Sequence, residues 1–350
     1  MQAYDSRTTA FRLILVLLGV WVGSAQAQEL CGIDSIFADG LEAAGFVPIT
    51  QVAGGISSPG LTTDIIGSGT LSVAITSPGT GSTTGDATVD VFGTYSGPVN
   101  TGIAVNNITG YVSNGQFLIP SVPLVAGANT LSIQATTLPG STATASSSVS
   151  QSGTASLVSV QADHAIGFAP FNVGFRYAVG TLPLSATVQS IAVNFHSTGT
   201  DDYSGPLSGA PSSFTYTQPG LYKARIVITD SNSQTYTAYR SVLIQDLAAQ
   251  RGMLCDVYGY VKDRLTAQDA TGASNAYQSM VRTDFLNYFT GLGASMPSTA
   301  QNLGVVVDGQ LGIGFADLLI LRDDTVAQTR SGFPMRMTQS TDGVWRISEM

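Results

Sequence analysis

Between Leu71 and Ile244, apolar side chains return at every second position in short runs, the period of a strand that buries one face. Runs at Leu71–Ile75, Thr88–Phe92, Ile103–Val105, Gln116–Ile119 and Thr130–Ala135 recur at roughly 8 to 12 residue spacing. Asn106-Asn107, Ser113-Asn114-Gly115 and Gly127-Ala128-Asn129 sit between them, where hairpin turns need residues that tolerate positive φ. The pattern predicts a β-sandwich over residues 70–152. A second sandwich is expected over 155–246. Its best strand is Leu221–Ile228, with Tyr222, Ala224, Ile226 and Ile228 on the inward face and Lys223, Arg225 and Val227 on the other. Pro219-Gly220 forms the turn before it and Thr229–Ser233 the loop after it.

Beyond Gln245 the period changes. Leu254, Val257, Tyr258, Val261 and Leu265 fall at helical spacing, as do Tyr277, Met280, Val281, Phe285, Tyr288 and Phe289, so two amphipathic helices are predicted. Ser298–Gln301, after Met296-Pro297, has the form of a capping box for a short third helix. Extended runs follow at Val305–Val307, Gly314–Leu321, Phe333–Thr338 and Val344–Ile347, with Asp342-Gly343 as the last hairpin turn. Helices first and an antiparallel sheet afterwards predict an α+β domain over 248–350 that folds apart from the sandwiches. The expected fold class is thus multidomain, two all-β sandwiches followed by α+β.

The N-terminus changes the picture of where the chain works. Arg7 and Arg12 flank the apolar run Leu13–Val22, and Ala25-Gln26-Ala27 is a small-x-small cleavage site, so residues 1–27 read as a signal peptide. Ten apolar residues are about half of the ~20 that span a bilayer, so no stable membrane span is expected after cleavage. Gln28-Glu29-Leu30 lacks the small residues of a lipid-attachment site before Cys31. The chain is expected to be secreted, periplasmic or held at the cell surface. Residues 28–69 form an N-terminal segment whose Gly/Ser/Pro-rich part, Gln51–Thr70, reads as a linker.

Charge narrows the partners. From Ile49 to Ala155 the only charged residues are Asp64, Asp86 and Asp90, and the chain carries a net −9 with two lysines, Lys223 and Lys262. No clustered cations exist to hold a phosphate backbone, so nucleic acid is excluded as a partner. Cys31 and Cys255 are the two cysteines. Export would let them pair as a structural disulfide, and two separate thiols are the alternative.

Three resemblances rest on particular residues. Val73–Pro78, Val89–Gly93, Ile103–Asn106, Gln116-Phe117, Val122–Leu124 and Gly127–Leu131 resemble the bacterial immunoglobulin-like module typified by glucodextranase domain B. Such modules are accessory or adhesive, which implies no catalytic residues there. Gly167–Pro170, Ile191–Phe195, Gly199–Tyr203, Phe214–Tyr222 and Val227–Asp230 are similar to the polycystic kidney disease (PKD) domain. His196-Ser197 replaces that family's acidic-glycine pair, which puts its cation binding in doubt. The element order of the last hundred residues, the Asp269/Gly272/Ala276 stretch and the closing Asp342–Ile347 resemble the nuclear transport factor 2-like superfamily, implying a cone with a pocket.

Chemistry is sparse. His164 and His196 are the only histidines and both fall in the sandwich region, so the C-terminal domain contains no histidine base for a catalytic triad. His196 lies near Asp201 and Asp202, but a solvated turn is expected, since calcium needs ~6 to 8 oxygens. Asp256, Asp263, Asp269, Asp284, Asp308 and Asp317 are the candidate acids or bases of a cone pocket, and most are expected to be caps or solvated charges. Trp345 is expected in the core, and Tyr95 and Tyr111 are the only large polar aromatics of the first sandwich. No cofactor-binding motif, zinc-spaced cluster or catalytic constellation is present in the sequence. The expectation is a non-enzymatic exported protein whose immunoglobulin-like modules adhere, bind or act as spacers toward an envelope protein or glycan. The alternative is small-molecule binding or catalysis in the C-terminal cone.

Overall fold

A computed structural model describes residues 47–48, 65, 70–196, 198–324 and 329–350. The leader, Cys31 and most of the expected linker lie outside the described residues.

Two immunoglobulin-like sandwiches come first. In each, the opening strand is divided between the two sheets. Ser72–Ser77 edges the sheet of Thr88–Ser96, Gln116–Pro123 and Tyr111–Ser113, while Ser82–Thr84 runs parallel to Thr142–Gln151 in the opposite sheet. That opposite sheet continues through Gly127–Thr136 and Gly102–Val105 to Ile108–Thr109. The second sandwich repeats the plan. Val158–Ala162 pairs with Phe171–Val179, and Ile166–Phe168 runs parallel to Thr235–Gln245, next to Gly220–Asp230 and Val188–Asn194. This order, with the last strand between a split first strand and its hairpin partner, is immunoglobulin-like. The predicted turns are where the sequence put them: Asn106, Asn107, Asn114, Gly115 and Gly127 all have positive φ.

The C-terminal part is α+β. Helices α1 (Leu247–Thr266), α2 (Ala270–Ser274), α3 (Ser279–Leu292) and α4 (Met296–Asn302) precede antiparallel strands Val305–Gly312, Phe315–Asp324, Thr329–Gln339 and Trp345–Glu349. Asp246 caps α1 by accepting from the Ala248 and Ala249 amides, and Asp269 caps α2 through Gly272. Met253, Leu254, Val257, Tyr258, Val261 and Leu265 bury one side of α1. One expectation is corrected: α4 starts at Met296, so Ser298 and Thr299 lie inside it and their hydroxyls donate back to the Ser295 carbonyl. With Pro297 in its first turn, the helix can begin earlier than a capping box would allow.

The C-terminal core reaches beyond its own stretch of chain. Val47-Pro48, assigned to a leading segment, pairs antiparallel with Gln310 and Leu311 at the edge of the C-terminal sheet, and Ile65 is buried in that domain's core. The same core takes Leu138 from the first sandwich and Phe168 from the second. A separate cluster joins all three parts, with Leu118, Ile166 and Leu243 buried and Phe92, Leu221 and Ile313 around them. The C-terminal domain is therefore docked, not independent. Leu118 and Leu243 are fully buried on the outward sides of their sheets, and each such burial stabilises the arrangement by about 1.5 to 3 kcal/mol.

Candidate functional site: the cleft between the sandwiches

The six aspartates of the C-terminal domain do not converge. Asp263, Asp284 and Asp308 are exposed. Asp269 caps α2 and lies 3.3 Å from Arg264, and Asp317 makes a two-pronged pair with Arg336 at 2.6 and 3.0 Å. Asp256 is partly buried along α1. The space between helices and sheet is filled by Tyr258, Tyr277, Phe289, Met335, Met337 and Ile347, and Trp345 belongs to the same core, as expected. Tyr277 stacks on Phe285 with ring centroids 3.8 Å apart. Burial pushes the Tyr258 and Tyr277 phenols well above the usual range, which holds them neutral.

In the second sandwich His196 sits edge-on to Phe214, Tyr216 and Tyr222, with its ring nitrogen 3.7 Å from Asp202. Asp202 accepts the Phe195 amide at 2.7 Å and Asp201 pairs with Arg225 of the neighbouring strand at 2.7 Å, so both carboxylates are engaged within the sandwich. His164 lies 3.3 Å from Asp163 on an exposed surface. Among the described residues no group of three or more His, Cys, Asp or Glu side chains is placed to hold a metal. Cys255 in α1 is disulfide-bonded.

The feature that sequence reasoning missed is a cleft of about 840 Å³ between the two sandwiches. One wall carries Asp86, Asp90 and Phe92; the other carries Lys223, Tyr239 and Arg240. Strand alternation sets the second wall, since Lys223 points away from its own sandwich interior and toward the outward face of the neighbour, where Phe92 lies. Its ammonium stands 4.0 Å from the Tyr239 ring centroid and 5.8 Å from that of Phe92, a cation–π arrangement bridging the two modules. Burial lowers the Lys223 pKa. Tyr239 keeps 51% of its surface exposed, so the ring has a free side.

Asp90 fixes the geometry of the cleft. Its carboxylate accepts from Arg240 Nη1 at 2.8 Å and from the Ser121 and Ser241 amides at 3.0 and 2.9 Å. The remaining lining is rich in hydroxyls and amides, including Ser77, Thr84 and Gln151. Such a surface can stack a planar or apolar face on Tyr239 and hydrogen-bond hydroxyls around it. A signal was present in the sequence: Asp86 and Asp90 are two of only three charges across more than a hundred residues, and Lys223 is one of two lysines. Partner positions are what the sequence withheld.

No helix among the described residues is long and apolar enough to cross a membrane. No protein-family model matches the chain, and no curated protein matches it. Solved structures similar to it include fibronectin(III)-like modules of Clostridium thermocellum CbhA, at 12% identity over 50% of this chain and 95% of that one, TM-score 0.19. Others are a tetra-tandem repeat of a large adhesion protein, at 20% identity over 49% of this chain and 48% of that one, TM-score 0.18, and domains 5–6 of the S-layer protein SbsC, at 12%, 51% and 99%, TM-score 0.24. Scores this low carry no argument, and the immunoglobulin-like assignment stands on the strand order.

Proposed function

We propose that this chain is an exported, non-enzymatic binding protein of the cell envelope or extracellular face, and that a neutral glycan occupies the cleft between its sandwiches. In this reading residues 1–27 are removed on export. Residues 70–152 form the first module, 155–246 a PKD-like module and 248–350 a nuclear transport factor 2-like domain whose filled interior makes it a support. Cys31 is the partner of Cys255, tying the mature N-terminus to α1.

The observation that carries the proposal is the half-exposed Tyr239 ring, held by Lys223 inside a hydroxyl-lined cleft. A sugar ring presents an apolar face to an aromatic and hydroxyls to its surroundings, which is the complement of that wall. The two acidic and two basic side chains of the cleft, Asp86, Asp90, Lys223 and Arg240, balance in charge, which favours a neutral ligand over an anionic one. The test is a binding screen of the chain beginning at Gln28 against neutral envelope and extracellular glycans. Tyr239→Ala should weaken the bound glycan by about tenfold, the worth of one stacked ring. Turnover of a metabolite with no glycan bound, or binding indifferent to Tyr239, would overturn the reading.

A further inference from the structure

A second cavity of about 420 Å³ opens where the first sandwich, the last residue of the second and the first half of α1 meet. It is separate from the inter-sandwich cleft and does not rest on the glycan reading above. Two side chains in its wall lack partners. The Ser113 hydroxyl and the Gln250 amide nitrogen find no hydrogen bond within the protein, although the two residues are only 7% and 8% exposed. Buried donors are nearly always satisfied, because an amide held away from water loses free energy unless it is paired.

Neighbouring polar groups are already engaged. The Asn100 side chain serves the backbone of Trp345, Gln245 Nε2 donates to the Val112 carbonyl, and the Asp246 carboxylate caps α1. The wall holds no lysine, arginine or histidine to meet an anion, and its one carboxylate, Asp246, is engaged in capping α1. Met253 and Trp345 supply an apolar side, each almost fully buried. Tyr95 also lines the cavity, and burial pushes its phenol up to about 12, which keeps it a neutral donor at physiological pH.

We propose that this junction cavity binds a small uncharged hydroxylated ring of monosaccharide size, with Gln250 donating to one of its oxygens, Ser113 bonding another, and Trp345 and Met253 covering its apolar face. The volume lies toward the lower end of ligand pockets, which run ~300 to 1,000 Å³. Because the wall draws on all three parts of the chain, the ligand holds them together and stabilises the whole molecule by mass action.

The test titrates the chain beginning at Gln28 with glucose, galactose, mannose and N-acetylglucosamine, followed by calorimetry and by the emission of Trp345, the sole tryptophan of that chain. One of these sugars should bind saturably and raise the unfolding temperature. Ser113→Ala and Gln250→Leu should each weaken it about three- to tenfold, while Asp263→Asn, on the exposed side of α1, should not. Ser113→Ala removes a single hydroxyl and carries the test if Gln250→Leu fails to fold. Absence of saturable binding through the millimolar range would overturn the proposal. So would affinity unmoved by both cavity variants, or a soaked crystal showing only ordered water between Ser113 and Gln250.

Discussion

The first sandwich meets its two neighbours in opposite ways. Toward the second sandwich it offers a charge, the Asp90 carboxylate held by Arg240 and the Ser241 amide, above an apolar plug of Leu118, Ile166 and Leu243. Toward the C-terminal domain it offers neutral groups and bare backbone. Asn100 bonds both the amide and the carbonyl of Trp345, Thr109 donates to the Ser340 and Thr341 carbonyls, and Gln339 donates to the Gly110 carbonyl. Gly102 and Gly343 lie against each other with no room for a side chain at either position. The contrast accounts for where the few charges of this module lie, although its exposed strand positions such as Thr142, Thr144, Ser146 and Ser148 are uncharged too. Where its surface faces protein an unpaired charge is costly, and Asp90 stands where the neighbour supplies a partner.

The largest effect should come from filling the bare contact. A Cβ at Gly102 would fall inside contact distance of the Asp342, Gly343 and Val344 backbones, and main chain cannot move aside as a side-chain tip can. Gly102→Val should therefore cost more than about 3 kcal/mol, above the usual range for overpacking. Urea unfolding followed by Trp345 emission should show the C-terminal domain separating ahead of the sandwiches. A single transition at the original midpoint would mean the two parts do not dock through this face.

Next in size is the charged contact. Asp90→Ala strands Arg240, whose side chain is 18% exposed, and removes the acceptor of two backbone amides. The expected loss is about 2 to 3 kcal/mol by thermal unfolding. Adding Arg240→Met to Asp90→Ala should return part of it, because the stranded cation causes much of the damage. Were the double variant as unstable as the sum of the singles, the pair would not be acting as a unit.

Each sandwich was legible in the sequence because a two-sided sheet writes its interior as alternation. Leu221–Ile228 shows this directly, with Ala224, Ile226 and Ile228 buried and the intervening residues less so. The docking was written too, in places where alternation fails. Phe117, Leu118 and Ile119 are all fully buried, as are Val242, Leu243 and Ile244, since the middle residue of each run faces another module. A continuous apolar run reads equally as a well-buried strand, so the signal names no partner. The cleft and the junction cavity were illegible for the same reason. Lys223 meets Phe92, and Ser113 shares a wall with Gln250, across separations that no local pattern encodes.

The smallest effect separates the two contacts by pH. Tyr95 lines the C-terminal junction with its phenol raised from 10.0 to about 12 by burial, and the Tyr258 and Tyr277 phenols in the C-terminal core are raised as well. A phenol whose folded pKa lies above its unfolded value leaves stability flat below about 10, and stability then falls as pH climbs toward the folded value, because only the unfolded chain releases the proton. The Asp90–Arg240 pair on the other side contains no phenol. Raising the pH from 9 to 12 should thus lower the unfolding midpoint reported by Trp345 progressively, and Tyr95→Phe should flatten part of that fall. A midpoint that stays constant across the window, or one that falls equally with Tyr95→Phe, would show that the buried phenol does not govern the C-terminal side.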